Sequence, residues 1–195
     1  MKFYSLPILI IAATLSFTLT AYATEQGLQD FSEHSQKKIK SLAGALKQTL
    51  VASMQAGGPA AAVETCNLQA ASITVGINLD TELQIKRTSL KYRNPANQPD
   101  SWEHMVLQSF AEQAASGVAV NQLVHKEKTQ KDGQPAYRLM RAIPLSPSCL
   151  TCHGSENDIP PVVKDHIQKL YPEDRATGYA LGDVRGAFSV WQIID

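Results

Sequence analysis

Residues 118–153 read VAVNQLVHKEKTQKDGQPAYRLMRAIPLSPSCLTCH. Two runs that alternate between apolar and polar residues, Val118–Lys128 and Pro135–Ile143, flank the four residues Lys131-Asp132-Gly133-Gln134. Asp-Gly between alternating runs is a strong hairpin signal, so two antiparallel strands are predicted here. Directly after the second run comes Cys149-Leu150-Thr151-Cys152-His153.

Downstream of the hairpin, Ile159–Tyr171 reads as a short helix with prolines at its start and a stop at Pro172. The run from Gly182 to Trp191 alternates well enough for a last strand. Upstream, Asp100 or Ser101 can cap a helix to Ala115, with Trp102, Met105, Val106, Phe110 and Ala114 on its apolar face. Asn94–Asp100 has the composition of a loop, and Leu83, Ile85 and Arg87 begin a short strand. Further back, Leu28, Phe31, Ile39, Leu42, Leu46, Leu50 and Met54 recur at helical spacing, which predicts one long amphipathic helix over Glu25–Ala56. Gly57-Gly58-Pro59 ends it, and an alanine-rich second helix carrying Cys66 runs from Pro59 to about Thr74. Helices first, then mixed elements around antiparallel strands, indicate an α+β fold and not a parallel βαβ array.

The first residues differ from the rest. Lys2, the apolar run Leu6–Leu19 and the small-x-small triplet Ala21-Tyr22-Ala23 form an export signal with cleavage expected after Ala23. Interrupted by Pro7 and several hydroxyl residues, the run falls short of the ~20 apolar residues of a membrane span. The expected mature protein is therefore a periplasmic, soluble single domain over 24–195, with its long helix over 24–57 and the part that carries the Cys149–His153 motif over 58–195. Eighteen basic and eighteen acidic residues balance, which argues against a nucleic-acid partner.

Two cysteines three apart followed by histidine are the pattern of c-type haem attachment. On a helical turn, positions i and i+3 share a face, so both sulfurs can reach one haem while the histidine projects toward its iron. A Cys149–Cys152 disulfide, a dithiol redox pair and a zinc site of Cys66, Cys149, Cys152 and His153 are the rival readings. The redox pair lacks a preceding βαβ unit, and the zinc site lacks a second cysteine pair. For the second iron ligand, spacing leaves Cys66, Met54, Met105, Met140, His34, His104, His125 and His166 open. Cys66 is the cysteine left over once two thioethers form.

Five stretches carry a wider resemblance. They are Ala61–Cys66, the run RTSLKYRNPANQPDSWE over 87–103, and Cys149–Gly154 together with Ala176–Tyr179 and Gly182–Val190. In these the chain resembles a family of single-haem c-type proteins with a PAS-like fold, a domain that also occurs in some sensor kinases. The resemblance implies one covalent haem c on Cys149 and Cys152, with iron held axially by His153 and the thiolate of Cys66. It also implies a PAS-type sheet with the long first helix outside it. Thiolate is an anionic donor that stabilises ferric iron, so a low-potential centre is expected.

Arg87, Lys91, Arg93, Arg138, Arg141 and Arg185 are candidate partners of haem propionates, with Arg87 and Arg93 first because they lie in the family-like stretch. Two function classes follow: an electron carrier or redox subunit, and a haem-based redox or gas sensor acting through a partner protein. An enzyme fits less well, because two axial ligands leave no open position on iron.

Overall fold

The structure is a computed structural model that describes residues 9–79 and 81–195, with side chains from Glu25 onward. The expected export signal lies outside the described residues for its first eight positions and for all of its side chains. Among the described residues no helix is long and apolar enough to cross a membrane.

In chain order the elements are α1 (Leu9–Asn78), β1 (Gln84–Thr88), α2 (Ser101–Ala115), β2 (Val124–Lys131), β3 (Gln134–Pro144), α3 (Leu150–His153), α4 (Pro161–Leu170) and β4 (Val184–Ile193). The strands make an antiparallel sheet in the order β1-β4-β3-β2. The chain is α+β, as its pattern indicates.

β2 and β3 pair from Val124↔Arg141 to Lys131↔Gln134. Asp132 (φ 53°) and Gly133 (φ 82°) are left as the loop, and two positive φ values are what a tight I′ hairpin turn requires. Strand β2 does not start at Val118, as the alternation suggests. Gly117 (φ 97°) turns the chain out of α2, and Val120–Gln122 form a 3₁₀ turn. That turn sends Val120 and Leu123 into the core, where apolar burial outweighs strand extension.

The glycine-proline break appears where expected. Gly58 has φ 73° and ψ −166°, and Pro59 follows inside α1. A left-handed φ costs glycine little and any other residue more. The two arms fold back on each other: Ser53 Oγ and Thr65 Oγ1 are 2.7 Å apart although twelve residues separate them, against about 18 Å along a straight helix. The second arm continues past Thr74 to Asn78, whose side-chain amide bonds both the N–H and the C=O of Ile85 and so joins helix to strand.

Alternation along the strands sends one set of side chains to each face of the sheet. Ile85, Leu139 and Val190 meet Phe31, Ile39 and Leu42 of α1, with Leu46, Ile73 and Ile77 beside them. Met140, Ala142 and Ala187 meet Val106, Leu107 and Phe110 of α2. Asp100 and Glu103 close a reciprocal cap at the start of α2. Met105, expected inside, is 61% exposed and Leu107 takes the buried position, because the stripe 103, 106, 107, 110 leaves 105 off the helix face. Leu50 and Met54 are also exposed, beyond the part of α1 that lies on the sheet. Finally, α4 packs Val163, Ile167 and the following Tyr171 against Val63 of the second arm.

Candidate functional site

The motif stands on a 3₁₀ turn, Pro147–Cys149, that runs into the single turn of α3. Gly154 closes that turn with its N–H on the Leu150 carbonyl. A Cβ there would come within 2.7 Å of the Leu150 oxygen and of Asp158 Cβ, so glycine is required. A segment from beyond α4 then straps the motif down. The N–H of Gly178 donates to the Gly154 carbonyl at 2.7 Å and that of Tyr179 to the His153 carbonyl at 3.0 Å. Arg93 Nη2 donates to the Cys152 carbonyl at 2.6 Å while Nε reaches Asp174 at 3.0 Å.

His153 Nδ1 lies 2.7 Å from the Ala176 carbonyl oxygen. A carbonyl only accepts, so Nδ1 carries the proton and Nε2 presents its lone pair. This is how a metal-binding histidine is commonly oriented from behind. Burial, with the charges of Arg185 and Arg93 adding to it, holds the imidazole well below its ordinary pKa and outweighs the Ala176 bond. The ring is therefore neutral at pH 7.

Cys66 lies close enough to this cluster for its charge to act on Cys152. Burial pushes its thiol up, and Arg87 and Arg93 pull in the opposite direction. All three cysteines are free thiols, so the Cys149–Cys152 disulfide is absent. Among the described residues no three His, Cys, Asp or Glu side chains are gathered as a metal-binding set, which weighs against the zinc reading.

The cations around the motif are unevenly paired. Arg93 has the carboxylate of Asp174. Arg87, Lys91 and Arg185 have no carboxylate partner among the described residues. Arg87 Nε is buried without any hydrogen-bond partner, although an unmade bond there costs roughly 1–3 kcal/mol.

Residues 16–192 match the family model described as Tll0287-like. The chain belongs to the Tll0287-like family. No curated protein matches it. The crystal structure of the cyanobacterial heme-protein Tll0287 is similar, with a TM-score of 0.58 and 24% identity over 83% of this chain and 94% of that one. At that identity the likeness speaks for the fold.

Within this Tll0287-like chain, the alternatives to Cys66 as a second ligand are scattered. Met140 is fully buried between the sheet and α2, on the face away from α1. Met105, His34 and His104 are exposed, and Met54 is at the surface of the first arm. His125 lies beside Glu127 at 3.4 Å on the outer strand. His166 lies between the Val162 carbonyl and Glu64. Of the basic candidates, Arg138 is held by Asp100 and Trp102, and Arg141 by Gln36 and the Asn121 carbonyl. Arg93 is largely spent on Asp174 and Cys152, whereas Arg87 keeps an unused donor.

Sequence reasoning missed Asp174 and the contact of Tyr179 with His153. The Ala176–Tyr179 stretch was visible through the family resemblance, but its strapping role arises only in the folded chain. A cavity of about 260 Å³ lies alongside, lined by Ile159, Lys164, Ile167, Tyr171, Asp174 and Thr177 among others, and none of the motif residues lines it.

Proposed function

We propose that this chain is an exported c-type cytochrome with one haem tethered through Cys149 and Cys152, and with its iron between His153 and Cys66. Its role is that of a low-potential electron carrier or redox subunit serving a partner protein. The observation that carries this reading is the preset imidazole: His153 is neutral, its Nδ1 proton is committed to Ala176, and Nε2 is left to coordinate.

The remaining residues fit the group. A haem brings two carboxylates, and a cysteine ligand binds iron as the thiolate. Those anions would meet the unsatisfied donor of Arg87 and the positive charge of Arg93, both of which act electrostatically on Cys66 and His153. Bound haem supplies one-electron redox chemistry. The protein holds the imidazole at fixed tautomer and orientation, offers Cys66 from a separate helical arm, and ties the attachment loop to the 174–179 strap. Burial raises the Cys66 thiol, and Arg87 and Arg93 offset part of that rise in favour of the charged sulfur.

A denaturing gel with haem stain, followed by absorption spectra of oxidised, reduced and carbon-monoxide-treated protein, tests the proposal. The stain is expected to stay on the mature chain and to vanish in the Cys149→Ala/Cys152→Ala variant; a stain that survives both changes refutes the attachment. A resting six-coordinate haem that ignores the gas marks a carrier. Ready gas binding would instead mark the sensor.

A further inference from the structure

Behind His153 stands a second layer that neither tethers nor ligates. The ring of Tyr179 meets the imidazole edge-on, with centroids 6.4 Å apart at 88°. Two cations lie over that ring: Lys91 Nζ at 4.9 Å and the Arg185 guanidinium carbon at 5.3 Å from its centroid. Lys91 is exposed, whereas Arg185 is half-buried.

Arg185 is held by neutral groups. Its Nη1 donates to Ser89 Oγ at 3.1 Å and to the Lys91 carbonyl at 3.3 Å. Ser89 Oγ is itself fixed, 3.2 Å from the Tyr179 hydroxyl and 2.8 Å from the Arg185 carbonyl oxygen. No carboxylate pairs with this guanidinium among the described residues. Even partial burial of a charge without a carboxylate in ion-pair distance is costly, and Asp174 offsets it only from farther off. Packing alone would be served better by a neutral side chain, so the charge itself is the feature to explain.

We propose that Arg185 is a positioning and charge-tuning residue for the iron bound by His153. Tyr179 and Ser89 hold it in place, and its fixed positive charge raises the reduction potential above the value that His153 and Cys66 ligation sets. The inference rests on the haem reading above. The sign follows from Coulomb's law: ferric iron takes one electron from a chemical reductant, the charge of the centre falls by one, and a nearby cation favours the reduced form. No bond to Arg185 forms or breaks, and no proton moves to or from it. Half-buried and fixed by Ser89, its charge is screened less by salt than that of the exposed Lys91, which acts through solvent and is screened within about 10 Å at 0.1 M salt.

The test is redox titration of the haem-loaded protein, wild type against Arg185→Gln, Arg185→Lys and Lys91→Gln. Arg185→Gln is expected to lower the midpoint potential at unchanged haem content and unchanged oxidised spectrum. Arg185→Lys should restore most of the shift. Lys91→Gln should move it less, with an effect that fades as salt is raised. Ser89→Ala, which only loosens the guanidinium, should shift the potential in the same direction by less and serves if Arg185→Gln does not fold. An unchanged potential in Arg185→Gln and Ser89→Ala overturns the proposal, and so does loss of haem in Arg185→Gln that Arg185→Lys does not rescue. A wild-type chain without covalent haem sinks the haem reading instead, which the stained gel reports before any titration.

Discussion

On the α2 face of the sheet, Arg138 is 3% exposed in its side chain and has Asp100 at 2.7 Å and Glu103 at 3.7 Å, with Lys86 completing the set at 2.9 Å from Glu103. Its guanidinium also covers the Trp102 ring at 4.0 Å. Burial opposes ionisation of Asp100, yet the Glu103 N–H and the Arg138 guanidinium prevail and hold that carboxyl below its usual range. On the α1 face, Arg87 follows Ile85 by two residues and so shares its side of the strand. Its Nε is buried without a bond, as is that of Arg138, but among the described residues no carboxylate pairs with it. Both are arginines drawn out of water by the same sheet. The first is held by carboxylates that fasten α2, and the second has no carboxylate of the described residues against it.

The largest expected effect lies on the paired side. Arg138→Leu takes the 2.7 Å partner from Asp100 and leaves the fully buried Glu103 with Lys86 alone, and should cost about 1.5–3 kcal/mol of unfolding free energy in a denaturant titration. A loss under about 1 kcal/mol would mean that the cluster is not closed and that the contrast between the faces fails.

How much of this contrast the sequence carries depends on range. The hairpin and the break at Gly58 rest on neighbouring residues, and local chemistry decides both. The pairing of Arg138 with Asp100 spans 38 residues and that of Arg93 with Asp174 spans 81. Six basic residues therefore look alike until the fold gives each its partners. Val118–Leu123 read as strand because alternation cannot distinguish extension from a turn that buries Val120 and Leu123. Cys66 was legible as a leftover thiol, and its nearness to Cys152 comes from the fold-back of α1 about Gly58.

Arg87→Gln sharpens the comparison through its sign. If a haem carboxylate faces this guanidinium, the loaded protein should lose roughly 1–3 kcal/mol in the same titration. If nothing anionic meets it, removing an unpaired buried charge should leave stability unchanged or raise it. The second outcome would place the haem carboxylates elsewhere, and Arg93 would be the next residue to change.

Cys66 bears the central claim, that iron is held between His153 and the thiolate of the second helical arm. The decisive measurement is the absorption spectrum and midpoint potential of Cys66→Ala beside wild type, each oxidised, reduced and exposed to carbon monoxide. Wild type should be low-spin when ferric, with sulfur signatures and a potential below that of His/Met cytochromes. Cys66→Ala should become high-spin or water-bound and should take up carbon monoxide readily once reduced. An unchanged spectrum and potential in Cys66→Ala would contradict the account, leaving Cys66 as a packing residue and the sixth position to another side chain.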